Sequence, residues 1–188
     1  MTAMIGSFLL VALSEVGDKT QLLAFSLASR YRKPWVVLAG ILLATLVNHA
    51  LAAGVGDFVS LHVPPRVMAG ILAALFIGFG LWTLKPDTLE DTQSTGRFGP
   101  FLTTVVLFFL AEMGDKTQLA TVALAARYQS LGLVTLGTTL GMMAANTPAV
   151  FLGDKLAGKV QMKWIRWSAA TLFFLFGVGS LVVAVRGV

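Results

Sequence analysis

Two copies of one seven-residue stretch hold the residues of this chain that could do chemistry. Glu15-Val-Gly-Asp-Lys-Thr-Gln21 recurs 97 positions later as Glu112-Met-Gly-Asp-Lys-Thr-Gln118, and both copies lie inside long apolar segments. A charged group at the centre of a bilayer costs roughly 2.5–3.5 kcal/mol, so groups of this kind are generally kept for function. Six ionisable groups in two matching sets therefore indicate a functional site rather than helix packing.

The spacing within each copy predicts that its charged groups lie close together. On an ideal helix Glu15, Asp18 and Lys19 share one face, because residues three and four apart are neighbours. Gly17 would allow another backbone to approach closely or would let the helix unwind locally. The second copy has the same spacing and predicts the same arrangement.

If the two copies face each other, their charges suggest what they bind. Four carboxylates and two lysines sum to −2 when all are ionised. One divalent cation neutralises that charge, and so do two protons, which are the two states that a cation/proton exchanger requires. Lys19 and Lys116 would balance charge, either by contributing to ion release or by holding the aspartates ionised. The predicted ligands are Glu15, Asp18, Glu112, Asp115, Gln21 and Gln118, with Thr20, Thr117, Asn48 and Asn146 as further oxygen donors.

The available donor atoms narrow the choice of ion. The chain has no Cys, and neither motif has a His, so the donors are carboxylate, amide, hydroxyl and backbone oxygens. Such sites suit Ca²⁺, Mn²⁺ or Mg²⁺ better than Cu⁺ or Zn²⁺, and Mg²⁺ gives up its water reluctantly. The donor atoms do not distinguish Mn²⁺ from Ca²⁺ as the bound ion. No cofactor is expected. His49 corresponds to Asn146 at the 97-residue offset; either could complete coordination, relay protons or form an interhelical hydrogen bond.

Composition places these motifs in a membrane protein. Of the 188 residues 56% are hydrophobic and only 12% are charged, against about 25% charged in soluble domains. The expected fold is an all-α integral membrane protein. Its expected partner is the lipid bilayer, with no nucleic acid, and the sequence is compatible with a homo-oligomer. The net charge of +5 is explained by basic residues that flank apolar segments. The predicted spans are 4–29, 34–57, 65–84, 99–126, 130–152 and 164–185.

The 97-residue offset divides the chain into two related halves. Eleven of 17 positions are identical between 15–31 and 112–128. Residues 1–84 form a first three-helix repeat, 85–98 a cytoplasmic linker, and 99–188 a second repeat. Because three spans are an odd number, the second repeat must enter the membrane from the opposite side, as in many secondary transporters.

Basic residues predict the orientation of the spans. Nine would lie on the side of the linker and three on the other, so the linker side is predicted to be cytoplasmic and both termini outside. The nine are Arg30, Arg32, Lys33, Lys85, Arg97, Lys155, Lys159, Lys163 and Arg166; the three are Arg66, Arg127 and Arg186.

Two copies of E-x-G-D-[KR]-[ST] in a six-span chain resemble a family of Golgi calcium/manganese–proton antiporters and bacterial manganese exporters. The resemblance covers essentially the whole chain, and both copies match the signature throughout. It implies transport of Mn²⁺ and often Ca²⁺ with protons as the counter-ion. The compact length and short linker are typical of a bacterial member, for which Mn²⁺ export across the plasma (inner) membrane is expected.

Three other readings compete with an exchanger. A passive divalent-cation channel would use the same carboxylates, and a duplicated scaffold would have no use for buried charges. An intramembrane aspartyl protease is disfavoured, because the lysine after each Asp favours the ionised carboxylate over a proton shared between two aspartates. The sequence therefore predicts a transporter and not an enzyme.

Overall fold

The computed structural model describes residues 1–84, 99–156 and 162–186, without the side chains of 152–156 and 162–166. The predicted linker, 85–98, lies outside the described residues. Eight helices and no strands are found in the described part of the chain. They are α1 (Thr2–Glu15), α2 (Lys19–Tyr31), α3 (Pro34–His62), α4 (Pro65–Thr83), α5 (Pro100–Glu112), α6 (Lys116–Tyr128), α7 (Leu131–Leu156) and α8 (Met162–Arg186).

The helix boundaries follow the sequence repeat. Helices α6, α7 and α8 each begin 97 residues after α2, α3 and α4. Proline stands at the first position of α3, α4 and α5, where its fixed φ suits a helix start and its missing N–H costs no helical hydrogen bond. The two halves therefore share one order of helices.

The predicted spans 4–29 and 99–126 are not continuous helices. Each is divided into two helices at its motif, so the prediction that the charged groups share one face of an ideal helix is wrong. Gly17 and Gly114 have φ of +83° and +75°, a region that glycine enters without steric cost. Val16 and Met113 before them are extended. Local unwinding, the alternative use of the glycine, is what the structure contains.

Three helical segments in the described residues are long and apolar enough to cross a membrane: Pro34–His62, Pro65–Thr83 and Trp167–Arg186. Thr2–Glu15 and Pro100–Glu112 are also apolar but shorter. At 1.5 Å per residue, a 14-residue helix such as α1 reaches about 21 Å, less than the roughly 30 Å of a bilayer core. The broken segments thus need both of their helices to cross.

The two halves interlock instead of packing side by side. Helix α1 packs on α7, α5 on α3, and α4 on α8. Gly137 of α7 lies against Met4 and Ser7, and Gly141 lies against Phe8 and Ala12. The contacts advance in the same order along both helices, so α1 and α7 run parallel. Gly40 of α3 lies against Phe101 and Thr104, the positions in α5 that correspond to Met4 and Ser7.

Helices α4 and α8 run antiparallel. Gly80 lies against Phe174, Gly177 lies against Ile77, and Arg66 Nε donates a hydrogen bond to the Ala184 carbonyl. Arg127 donates to Ser180 Oγ at the same end of α8.

The start of α1 reaches the same end of the molecule, since Gly6 lies against Tyr128 and Phe176. The three basic residues predicted for one side therefore gather at one end, together with the start of α1 and the end of α8. Which face of a membrane this end meets stays a prediction. Of the nine residues predicted for the other side, Arg30, Arg32 and Lys33 are those whose side chains the structure describes.

Large apolar side chains cover much of the outer surface. Leu51, Phe58, Leu110 and Leu175 are each at least 58% exposed. An apolar surface of this extent is not expected of a monomer in water. It suits a protein surrounded by lipid.

Candidate functional site

The motif residues lie where the broken helices end and begin again. Helix α1 ends at Glu15 and α5 at Glu112, while α2 begins after Asp18 and α6 after Asp115. Asp18 is the N-cap of α2, and its Oδ1 accepts a 2.6 Å hydrogen bond from the Lys19 N–H. Asp is a favoured N-cap because its side chain accepts from a free N–H of the first turn. The sequence thus places each aspartate at a helix start.

Both glutamines stabilise the breaks. Gly17 N–H donates to Gln21 Oε1 at 2.9 Å, and Gly114 N–H donates to Gln118 Oε1 at 2.7 Å. The side-chain oxygens predicted as ion ligands are thus engaged by backbone N–H groups that the break frees. Their role as ligands stays a prediction.

Both threonines hold the glutamates of their own motif. Thr20 Oγ1 donates to Glu15 Oε2 at 2.7 Å, and Thr117 Oγ1 donates to Glu112 Oε2 at 3.1 Å. The residues are five positions apart, a distance that an unbroken helix would not place on one face. Each bond fixes one carboxylate oxygen and orients the other.

Carboxylates from both halves converge. Glu15, Glu112 and Asp115 each offer an oxygen within 4.8 Å of the others. Their exposed fractions are 0%, 1% and 5%. Glu15 Oε1, Glu112 Oε1 and Asp115 Oδ2 have no hydrogen-bond partner among the described residues. Buried carboxylate oxygens generally need a partner, and several within this distance can bind one hard cation.

Each lysine pairs with the aspartate of the opposite half. Lys116 Nζ lies 2.5 Å from Asp18 Oδ2, and Lys19 Nζ lies 3.4 Å from Asp115 Oδ1. The pairs differ in exposure: the Lys116 side chain is 4% exposed and that of Lys19 is 30%. Asp18, the fourth predicted carboxylate, is therefore held beside Lys116, whereas Asp115 belongs to the carboxylate cluster.

The two predicted asparagines are fully buried at mid-helix. Gln118 Nε2 donates to Asn48 Oδ1. Asn146 Nδ2 donates to the Met142 carbonyl at 3.0 Å, one turn earlier on α7. His49 is also fully buried, and neither ring nitrogen has a hydrogen-bond partner among the described residues.

One polar contact could not be read from residue types. Gln21 Nε2 donates to the Ala145 carbonyl at 2.8 Å. Ala145 corresponds to Asn48 at the 97-residue offset, so both glutamines contact equivalent positions of α3 and α7. The offset indicates where to look, although an alanine gives no sign that its carbonyl is a partner.

Comparison with known proteins identifies the family of the chain. The family model described as "Divalent cation/proton antiporter GDT1" matches the chain twice, over residues 3–91 and 100–187. A Vibrio cholerae protein named "Putative manganese exporter" is 45% identical over 181 residues, covering 96% of this chain and 90% of that protein.

Plant and cyanobacterial proteins match as well. "GDT1-like protein 5" of Arabidopsis thaliana is 33% identical, covering 95% of both chains. A GDT1-like protein of Synechocystis is also 33% identical, covering 96% of this chain and 97% of its own. No solved structure matches the chain. The resemblance seen in the two motifs is confirmed, and the chain belongs to the GDT1 family of divalent cation/proton antiporters.

Proposed function

We propose that this chain exports divalent cations, Mn²⁺ foremost with Ca²⁺ as the second candidate, in exchange for protons. The observation that carries the proposal is the carboxylate cluster itself. Glu15, Glu112 and Asp115 come from both halves of the chain, and each presents a buried oxygen without a hydrogen-bond partner in the described structure. A binding site of this kind is expected where two transporter repeats meet.

The ion pairs support an exchange of one divalent cation for two protons. Asp18 and Asp115 each have a lysine partner, so the aspartates and lysines together are neutral. The remaining charge of −2 belongs to Glu15 and Glu112 when both are ionised. One divalent cation or two protons would neutralise the two glutamates, so each step of the cycle would cross the membrane without net charge.

We also propose that the chain crosses the membrane six times as two inverted repeats, with the site near the midplane. In this arrangement α1 with α2, and α5 with α6, form one broken span each. The parallel packing of α1 on α7 supports inversion, since the first and fifth of six successive spans run in the same direction. Repeats of the same orientation would make these helices antiparallel. The proposed location is a bacterial inner membrane with both termini outside.

The preference for Mn²⁺ over Ca²⁺ rests on similarity to another protein and not on the chemistry of the site. The cluster offers only oxygen ligands, which both ions accept. The Vibrio cholerae protein that is 45% identical has a name that specifies manganese. Export of Mn²⁺ is therefore proposed here by similarity.

Ion flux in proteoliposomes tests the function. The full chain would be reconstituted with a pH dye inside the vesicles, and MnCl₂, CaCl₂ or MgCl₂ would be added outside. We expect Mn²⁺ entry to release protons from the vesicles, so the lumen becomes alkaline, with a smaller response to Ca²⁺ and little to Mg²⁺. Flux that is insensitive to membrane potential would support exchange of one cation for two protons.

Two outcomes would contradict the proposal. Mn²⁺ flux without any luminal pH change would support the passive channel instead. Absence of flux for all three ions, in vesicles that contain folded protein, would reject transport of divalent cations.

A further inference from the structure

The two motifs have the same charged residues but unequal ion pairs. Lys116 and Asp18 are buried and 2.5 Å apart, whereas Lys19 is partly exposed and 3.4 Å from Asp115. Asp115 also lies within 4.8 Å of both glutamates. Both aspartates are thus paired with the lysine of the opposite half, and Asp115, whose lysine is more distant, is the one grouped with the two glutamates.

We infer that Asp18 and Asp115 take turns as the third carboxylate of the site, each withdrawn in turn by the lysine of the other half. The inference rests on the proposed function. In the state described here Asp115 joins Glu15 and Glu112 while Lys116 holds Asp18. In the second state Asp18 joins the glutamates while Lys19 closes on Asp115.

The repeated sequence supports a second state of this form. When two related halves meet at one site, a contact made by the first half can also be made by the second with the roles exchanged, and alternating access moves one repeat against the other around such a site. Glu, Asp, Lys and Thr are present at equivalent positions of both motifs, so each contact on one side has a possible counterpart on the other. The weaker Lys19–Asp115 pair is the one that would tighten.

The lysines then act as tethered cations that compete with the transported ion. An ammonium group beside an aspartate lowers the attraction of that carboxylate for a divalent cation, because like charges repel. Closure of Lys19 on Asp115 would remove that ligand from the bound ion and promote its release before Asp18 takes the place of Asp115. Lys19 and Lys116 are thus positioning residues that act through the aspartates.

Equilibrium binding of Mn²⁺ to the full chain in lipid nanodiscs tests the inference. Free Mn²⁺ would be measured by its electron paramagnetic resonance signal for the parent, Lys19→Gln and Lys116→Gln. We expect both variants to bind Mn²⁺ more tightly by similar factors, roughly tenfold each, within the usual range for coupled ligands. If Asp115 alone served the site, only Lys19→Gln would tighten binding.

Transport by the same variants gives a second readout. Slow release should lower both the Mn²⁺ concentration for half-maximal flux and the maximal flux. Loss of folded protein alone would lower the maximal flux and leave the half-maximal concentration unchanged. Lys19→Arg and Lys116→Arg keep the charge and should restore the parent's values.

A third measurement does not need the lysine variants to fold. Infrared difference spectra taken on addition of Mn²⁺ should show perturbed carboxylate bands, and Asp18→Asn and Asp115→Asn should each remove a comparable part. A loss of carboxylate bands in Asp115→Asn alone would overturn the inference. In the binding experiment, weaker Mn²⁺ binding by Lys19→Gln or Lys116→Gln would also overturn it. These results are independent of proton coupling, which the parent's flux assay decides separately.

Discussion

Two helix pairs, α1 with α7 and α5 with α3, are built at equivalent positions of the repeat. The helices α7 and α3 in these pairs differ in polarity. Each has a glycine that lets the helices approach closely, Gly137 in the first and Gly40 in the second. At three other equivalent positions α7 has threonine where α3 has an aliphatic residue. The residues are Thr135, Thr138 and Thr139 in α7, against Leu38, Ile41 and Leu42 in α3.

Some hydroxyl side chains of α1 and α7 have no hydrogen-bond partner among the described residues. Ser7, Thr135 and Thr139 are buried, and their hydroxyls have no hydrogen-bond partner among the described residues. On the other side α3 contributes Val37, Leu38 and Ile41 to an apolar cluster with Phe108 of α5. The repeat therefore preserves the carboxylate cluster, whereas the α1–α7 and α3–α5 helix pairs beside it differ in their polar residues.

The largest expected effect tests whether the site is shared equally. Glu15→Gln and Glu112→Gln should each abolish Mn²⁺ flux, because each leaves a buried site with one negative charge too few for a divalent cation. Flux and luminal pH would be measured in proteoliposomes. Asp115→Asn should do the same in this assay.

Asp57→Asn is the matched control for these substitutions, since Asp57 is a partly exposed carboxylate of α3 outside the cluster. It should transport like the parent. Flux retained in either glutamate variant would show that the two halves do not contribute equally.

The next effect compares the glycines of the two interfaces. A Cβ at Gly137 would lie 2.4 Å from the Met4 carbonyl oxygen, whereas at Gly40 its nearest neighbour would be Thr104 Cβ at 2.7 Å. Overpacking of this kind costs about 1–3 kcal/mol. A backbone carbonyl cannot rotate away, so Gly137→Ala should lower the melting temperature more than Gly40→Ala.

Intrinsic tryptophan fluorescence during heating in detergent would measure both variants. Gly132→Ala is the control, since no atom lies within 4 Å of a Cβ at that position. Equal losses at Gly137 and Gly40 would show that the interfaces tolerate overpacking alike.

Much of the fold was predictable from sequence, because it depends on local signals. Apolar length and proline positions place α3 and α4 within a few residues, and the repeat places α7 and α8. The breaks inside the first and fourth spans were not placed, because the motif spacing is compatible with an ideal helix. The positive φ of Gly17 and Gly114 and the extended backbone of Val16 and Met113 distinguish the two conformations.

The sequence names the charged residues of the candidate site but does not predict how they pair. Glu15, Glu112 and Asp115 do converge, as expected if charged groups in two apolar segments meet. Which lysine pairs with which aspartate depends on how the halves interlock, and the sequence places Lys19 beside Asp18 in the chain. Two motifs with the same charged residues also predict equal ion pairs, so the inequality of the pairs could not be predicted from them.

A smaller effect tests the hydroxyls of the α1–α7 half. Thr135→Val and Thr139→Val keep the side-chain shape and remove hydroxyls that ordered water generally satisfies. We expect them to slow transport roughly fivefold, the factor that corresponds to about 1 kcal/mol for one water-mediated contact. Thermal stability should hold or rise, because a buried hydroxyl without a partner is lost.

Thr171→Val is the control for the hydroxyl variants. Thr171 is partnered and lies on α8, where its hydroxyl donates to the Trp167 carbonyl at 2.8 Å. Unchanged transport in Thr135→Val and Thr139→Val would mean that the polarity of the α1–α7 half has no part in the cycle.

The smallest effect concerns the glutamine contacts, which are equivalent in position and different in chemistry. Gln118 contacts the Asn48 side chain, whereas Gln21 contacts the Ala145 backbone carbonyl. A double-mutant cycle of Gln118→Leu and Asn48→Leu should therefore give a coupling free energy of about 0.6 kcal/mol, the average for polar contacts between membrane helices. The cycle of Gln21→Leu and Ala145→Ser should give nearly none, because a substitution at Ala145 leaves its carbonyl in place. Both would be read from unfolding free energies in detergent micelles. If the two cycles gave equal coupling free energies, the Asn48 side chain would contribute no more to its contact than the Ala145 side chain does. The two halves would then not differ at this contact.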